Sequence, residues 1–162
     1  MVGARVEGQT LPRIVWNGAG YAIVWNDDRD AGFDQLHFAR LNTDGVIIGS
    51  TVQLTTAAET TGVDGYSALA WDSARSEYFV VWSDQRNSRE ICGSVECGTE
   101  INSLRLDAAG VRIGTATRLT VAPGPSTNPA LANDGTGYGV VWTDERAVPG
   151  APEIYFSSVR CR

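Results

Sequence analysis

A nine-residue block occurs three times in this chain, and no other feature limits the fold as much. Tyr21-Ala22-Ile23-Val24-Trp25-Asn26-Asp27-Asp28-Arg29 returns as Tyr78-Phe79-Val80-Val81-Trp82-Ser83-Asp84-Gln85-Arg86 and again as Tyr138-Gly139-Val140-Val141-Trp142-Thr143-Asp144-Glu145-Arg146. The common pattern is Y-x-[IV]-V-W-x-D-x-R, and Trp25, Trp82 and Trp142 stand 57 and 60 positions apart. Self-similarity at that period marks an architecture of stacked units, so the repeat has to be read before any single element.

Each block is the second of several short apolar stretches. A first stretch precedes it, Ile14-Val15-Trp16, Ala68 to Trp71 or Ala130-Leu131-Ala132, across a turn such as Asn17-Gly18-Ala19-Gly20 or Asn133 to Gly137. Such turns read as hairpins. A third stretch follows, Leu36 to Leu41, Ile101 to Leu106 and Ile154 to Val159. A fourth occurs in two copies only, Gly45 to Gly49 leading to Leu54-Thr55, and Gly110 to Gly114 leading to Leu119-Thr120. No window carries a 3.6-residue apolar period, and Gly and Pro interrupt the chain too often for long helices. The second strand is apolar on consecutive positions, which requires cover on both faces. The expectation is an all-β chain of four-stranded units, forming one domain over 1–162 with repeats at about 9–62, 63–125 and 126–162.

Units of this kind, with an inner strand buried on both sides, describe the blades of a β-propeller. The V-V-W-x-D-x-R block, with a third strand ending in R-L-[DN]-x-x-G, resembles the divergent propeller repeats of bacterial secreted and surface proteins. The resemblance implies the fold and no particular activity. A β-trefoil is the alternative, since it also uses three four-stranded repeats, but its repeats are shorter and the lectin-type Q-x-W is missing. Three blades do not close a ring, because propellers need about four to eight. Two chains pairing head to tail into a six-bladed ring are therefore expected, or else the chain is a piece of a longer propeller. The third unit lacks its fourth strand, and Val2–Glu7 is expected to supply an outer strand to such a blade.

Charge and composition narrow the partners. The chain has 13 basic and 19 acidic residues, a net charge of −6, and every basic residue is Arg. Phosphate backbones need a clustered positive surface that this balance does not provide, which excludes nucleic acid. No run of 18 apolar residues exists to cross a membrane as a helix. The N-terminus shows no charged and apolar signal segment, leaving a mature or excised chain or a cytosolic one.

The candidate ligand residues follow from the repeat. In a propeller the loops after the second and fourth strands emerge on one face around the axis. Asp27 with Arg29, Asp84 with Arg86, and Asp144 with Arg146 would ring that opening, where three guanidinium groups can hold a carboxylate or sulfate. The structural reading takes first place over this one: each Asp accepts turn N–H groups while its Arg bridges to a neighbouring unit. Phe33 and Tyr66, in turn-rich loops on the same face, are the aromatics placed to stack on a sugar; the repeated Trp and Tyr are packing between units. Asp28, Asp30 and Asp34 have the oxygen chemistry that calcium prefers, although their spacing is not that of an EF-hand. Calcium is thus the one cofactor candidate. His37 stands alone, without a nucleophile elbow, and reads as an ordinary strand residue.

Cys92 and Cys97 bracket four residues inside an insertion of the second unit, which reads as a local disulfide in an oxidising compartment. Cys161 is the odd cysteine, free or bridging chains. Together these features lead to an expectation of a secreted or cell-surface homodimer acting as a non-enzymatic binding or interaction module, with a glycan or small anion as ligand. The alternatives are a purely structural propeller unit and a glycan-active hydrolase, for which paired carboxylates would suffice.

Overall fold

The computed structural model describes residues 8–28, 34–56, 66–85 and 98–160. Among these described residues, eleven strands form three antiparallel sheets in simple meander order. Blade 1 contains β1 (Gln9–Trp16), β2 (Tyr21–Asp27), β3 (Gln35–Leu41) and β4 (Ile47–Gln53). Blade 2 contains β5 (Ser67–Asp72), β6 (Glu77–Asp84), β7 (Glu100–Asp107) and β8 (Arg112–Arg118), and blade 3 contains β9 (Ser126–Asn133), β10 (Tyr138–Asp144) and β11 (Glu153–Val159). The first strands meet along one line, β1 packing on β5 and β5 on β9, so they are the innermost. This is the propeller arrangement expected from the repeat. Three separate sheets in meander order are incompatible with the barrel of a β-trefoil. Among the described residues, no helix is long and apolar enough to cross a membrane.

The tight turns are held by Asx side chains. Asn17 Oδ1 accepts from the N–H groups of Ala19 and Gly20, Asp72 Oδ1 from Ala74 and Arg75, and Asp134 Oδ1 from Thr136 and Gly137. The [DN] of R-L-[DN]-x-x-G closes the third-to-fourth turn in the same way: Asn42 Oδ1 accepts from Asp44 and Val46, and Asp107 Oδ1 from Ala109 and Val111. The glycine of that motif is required at Gly110, where φ is +85° and an added Cβ would stand 2.7 Å from Phe38 in blade 1. Such an approach leaves no space for a side chain.

The innermost strand starts earlier than its apolar stretch suggests. β1 begins at Gln9, and its register slips between Thr10 and Arg13, where Leu11 has a positive φ before Pro12. β9 repeats the device with Asn128 before Pro129. Proline cannot donate to a ladder, and an innermost strand has a free side on which this is tolerated.

Two layers of apolar side chains join the blades. Between blades 1 and 2, Ala22, Val24, Leu36 and Phe38 meet Tyr78, Val80, Trp82 and Leu104, with Phe38 edge-on to Tyr78 at 5.2 Å between centroids. Between blades 2 and 3, Phe79, Val81 and Ile101 meet Tyr138, Val140 and Trp142, with Phe79 stacked on Tyr138 at 4.3 Å. The period of two along each second strand explains both layers. Tyr, Ile or Val, and Trp of Y-x-[IV]-V-W point to the preceding blade, and the residues between them point to the following one.

Candidate functional site

The second strands all end at one end of the arc, and each carries a W-x-D triplet there. Trp and Asp two apart lie on the same side of a strand. In every blade the indole Nε1–H donates to the Asp Oδ2: Trp25 to Asp27 at 3.2 Å, Trp82 to Asp84 at 3.0 Å and Trp142 to Asp144 at 2.7 Å. The three carboxylates are buried. The first strand adds a second donor in two blades, Gln9 Nε2 to Asp27 at 3.1 Å and Ser126 Oγ to Asp144 at 2.9 Å. Each Asp therefore clasps its own second strand and, in blades 1 and 3, the innermost strand beside it.

Blade 3 shows a complete D-x-R pair. Asp144 Oδ1 accepts from the Arg146 backbone N–H at 2.9 Å and from Nε at 2.8 Å, while Oδ2 accepts from Nη2 at 2.6 Å. The guanidinium also lies over the Tyr155 ring, 4.5 Å from its centroid. Burial works against the charge on Asp144, but the donors from Arg146, Trp142 and Ser126 outweigh it and hold the carboxyl far below the usual carboxylate range. Bonding to Asp144, opposed by burial and aided by the charges of Tyr155 and of Glu100 in blade 2, pushes Arg146 up. Both members of this pair are thus engaged with their own blade.

A second buried cluster lies at the start of the third strands, and the sequence reading missed it. Glu100 pairs with Asp84 across β6 and β7, is fully buried, and accepts from the Thr120 hydroxyl and from Ala122 N–H at 2.9 Å. Thr120 Oγ1 in turn accepts from Ile101 N–H at 2.8 Å. Blade 1 builds the same knot with an amide: Thr55 donates to Gln35 Oε1 at 3.3 Å and accepts from Leu36 N–H at 2.8 Å. The signal lay in two places, Gln or Glu opening the third strand and Leu-Thr after the fourth, which sequence spacing alone does not connect.

The residue after the W-x-D triplet is Asp28, Gln85 or Glu145. Asp28 is half-buried beside Gly8 at the start of the innermost strand, and among the described residues its Oδ1 has no hydrogen-bond partner. Glu145 accepts from Gly150 N–H at 2.9 Å through Oε2. Tyr66 is exposed at the same end, where its carbonyl accepts from Ser83 N–H at 3.1 Å. Asp34 accepts from Asn26 Nδ2 at 3.5 Å, and no group of three metal-ligating side chains is assembled among the described residues. His37 is buried against Trp25. Arg29, Asp30, Phe33, Arg86, Cys92, Cys97, Cys161 and the Val2–Glu7 segment lie outside the described residues.

No protein-family model matches the chain, and no curated protein matches it. Solved structures do. An α-L-arabinofuranosidase from Lactobacillus brevis superposes on 93% of the chain at 11% identity with a TM-score of 0.58, and 52% of that enzyme is covered. A thermostable family-43 glycoside hydrolase superposes on 99% at 10% identity with a TM-score of 0.61, covering 57% of that structure. The endo-arabinase of Bacteroides thetaiotaomicron superposes on 96% at 11% identity with a TM-score of 0.64, again covering 57%. What is shared is the fold. The chain spans about half the length of these structures, which are five-bladed propellers.

This finding corrects the expectation of a non-enzymatic module. The solved structures on which the arc superposes are glycoside hydrolases, so the hydrolase alternative takes first place and the non-catalytic reading is withdrawn. The reason is physical: residues that lie on different blades leave no contiguous motif in a sequence.

Proposed function

We propose that this chain is part of a glycan-active hydrolase whose substrate lies at the end of the arc where the W-x-D triplets stand, with arabinose-containing glycans as the substrate class. The observation that carries this reading is the superposition of nearly the whole chain on an arabinofuranosidase and an endo-arabinase. Glycoside hydrolysis needs two carboxyl groups, one to protonate the leaving oxygen and one to activate water or attack the sugar. The W-x-D carboxylates are occupied as clasps, and Asp28 and Glu145, at the same repeat position in blades 1 and 3, are the pair proposed for this chemistry. Tyr66 offers a stacking surface at the same end. The reading includes an extracellular setting, where polymeric glycans are met, and a Cys92–Cys97 staple belongs with that compartment.

The test is a panel of aryl α-L-arabinofuranosides, linear arabinan and xylan incubated with the full chain in its native assembly. Release of arabinose is expected, with Asp28→Asn and Glu145→Gln each lowering the rate by about 100-fold or more. Absence of turnover across the panel, or full activity in both variants, overturns the proposal.

A further inference from the structure

A cavity of about 460 Å³ lies at the rim between the trailing face of blade 1, the one turned toward blade 2, and the leading side of blade 2 with its third-to-fourth turn. Both sheets have four strands and both blades are present, so the cavity belongs to an internal junction. β3 runs away from the W-x-D triplets, pairing Gln35 with Asp27 and Leu41 with Tyr21, which puts Arg40 toward the opposite end of the arc. The walls are largely aliphatic, from Ile48, Val52 and Val111, and Arg40 and Arg112 line them as well. Ile48 and Val111 are 44% and 61% exposed, so the apolar wall is open to an entering molecule. Arg40 Nη1 donates to the Ala108 carbonyl of blade 2 at 3.3 Å, and Nη2 lies toward Gly49, where an added Cβ would stand 3.7 Å from it. Among the described residues Arg40 forms no ion pair. The ladders place Arg105 at the same position in blade 2, since Arg40 stands between Ala22 and Ile48 as Arg105 stands between Phe79 and Ile113. There Nε and Nη2 each donate to Glu77 at 2.8 Å. The residue matching Glu77 in blade 1 is Gly20, where an added Cβ would fall on the Leu41 carbonyl oxygen, so blade 1 has no room for a carboxylate of its own at that position.

We propose that this cavity is a binding site for a small apolar monocarboxylate, with the acid group on Arg40 and the hydrocarbon body against Ile48, Val52 and Val111. A guanidinium carries its donors in a planar fork that a carboxylate matches with two parallel bonds, and Arg40 spends one donor on a single carbonyl. What Glu77 does for Arg105 inside blade 2, the ligand does for Arg40. Aliphatic walls with a few convergent polar groups are the usual lining of a small-molecule site. A bare phosphate or sulfate leaves those walls wet, and a sugar acid presses hydroxyls against them without partners. The acid is therefore one with an apolar body. The inference does not depend on the catalytic reading, since Arg40 stands away from the W-x-D end.

Ligand-observed NMR titration of the full 162-residue chain with three probes tests it. Benzoate carries the charge on an apolar body, benzamide has the body without the charge, and galacturonate has the charge on a polar body. Benzoate should bind saturably in the millimolar range, about fivefold or more tighter than either of the others. Arg40→Gln should weaken benzoate binding by about fivefold or more, while Arg13→Gln, which removes the same charge from an exposed position outside the cavity, should leave it unchanged. Val111→Glu, at an exposed position, sets a carboxylate in the same cavity as Arg40 and should abolish benzoate binding while keeping the wild-type circular dichroism. Absence of saturation with benzoate, binding of benzamide or galacturonate as tight as that of benzoate, or full affinity in Arg40→Gln or Val111→Glu overturns the proposal.

Discussion

Replacing Asp144 by Asn separates a structural clasp from a ligand site. The carboxylate accepts five hydrogen bonds from the Trp142 indole, the Ser126 hydroxyl and three N–H donors of Arg146. An amide keeps one acceptor oxygen and turns an NH₂ toward donors that need an acceptor. Arg146 has about a third of its side chain exposed and can turn to water, and Ser126 can rotate. The Trp142 indole is buried and has no such escape. Leaving one buried donor unpaired and weakening a partly solvated ion pair costs about 2–4 kcal/mol, below the figure for a fully buried pair. For a domain of this size that lowers Tm by about 5–15 °C. The pH dependence carries a second signature. A carboxyl depressed in the folded state contributes stability that is full above its unfolded value near 3.8 and is lost as pH falls toward the folded value, because there the unfolded chain binds more protons. Urea unfolding followed by tryptophan fluorescence at pH 6 and again below pH 4 should show wild type losing its advantage over Asp144→Asn in acid. If the variant unfolds within about 0.5 kcal/mol of wild type at pH 6, and the gap does not change with pH, the clasp reasoning is wrong.

Two further substitutions test the interior. Glu100→Gln should change stability by less than about 1 kcal/mol, because Gln35 makes the equivalent knot in blade 1, whereas Glu100→Leu should cost about 2 kcal/mol or more by stranding the Thr120 hydroxyl and the Ala122 N–H; urea unfolding of both variants measures the contrast. Gly110→Ala should cost about 2 kcal/mol or more in the same assay, since it adds a methyl against Phe38 at a positive φ, while the same change at Gly45, with φ +77° and nothing near its Cβ, should cost only the backbone strain.

The propeller was legible in the sequence because its strongest elements repeat: three Y-x-[IV]-V-W runs became β2, β6 and β10, and among the described residues the third unit forms a three-stranded sheet. The innermost strands were only half legible, since Leu11-Pro12 and Asn128-Pro129 break the apolar alternation where the backbone bulges. The role of the repeated Asp was open to inference, because a separation of two puts it beside the indole, yet turn-capping is the commoner use of Asp and was given first place. The Glu100–Thr120 knot was out of reach, as its partners are 20 positions apart and are joined only by the pairing of β7 with β8. Function was least legible of all, because residues on different blades, such as Asp28 and Glu145, leave no contiguous motif in the sequence.

The unlike faces of each blade also set how such a chain can grow or shrink. Every junction joins a trailing face to a leading face, so removing or adding one whole unit leaves all remaining junctions of the same kind, while a cut within a unit leaves a sheet with an open edge. Genetic change in this scaffold is therefore quantised: a tandem duplication of a full repeat preserves the rule by which neighbours recognise each other, and a partial one does not. The arc has a direction, and a unit added at either end has to be oriented along it.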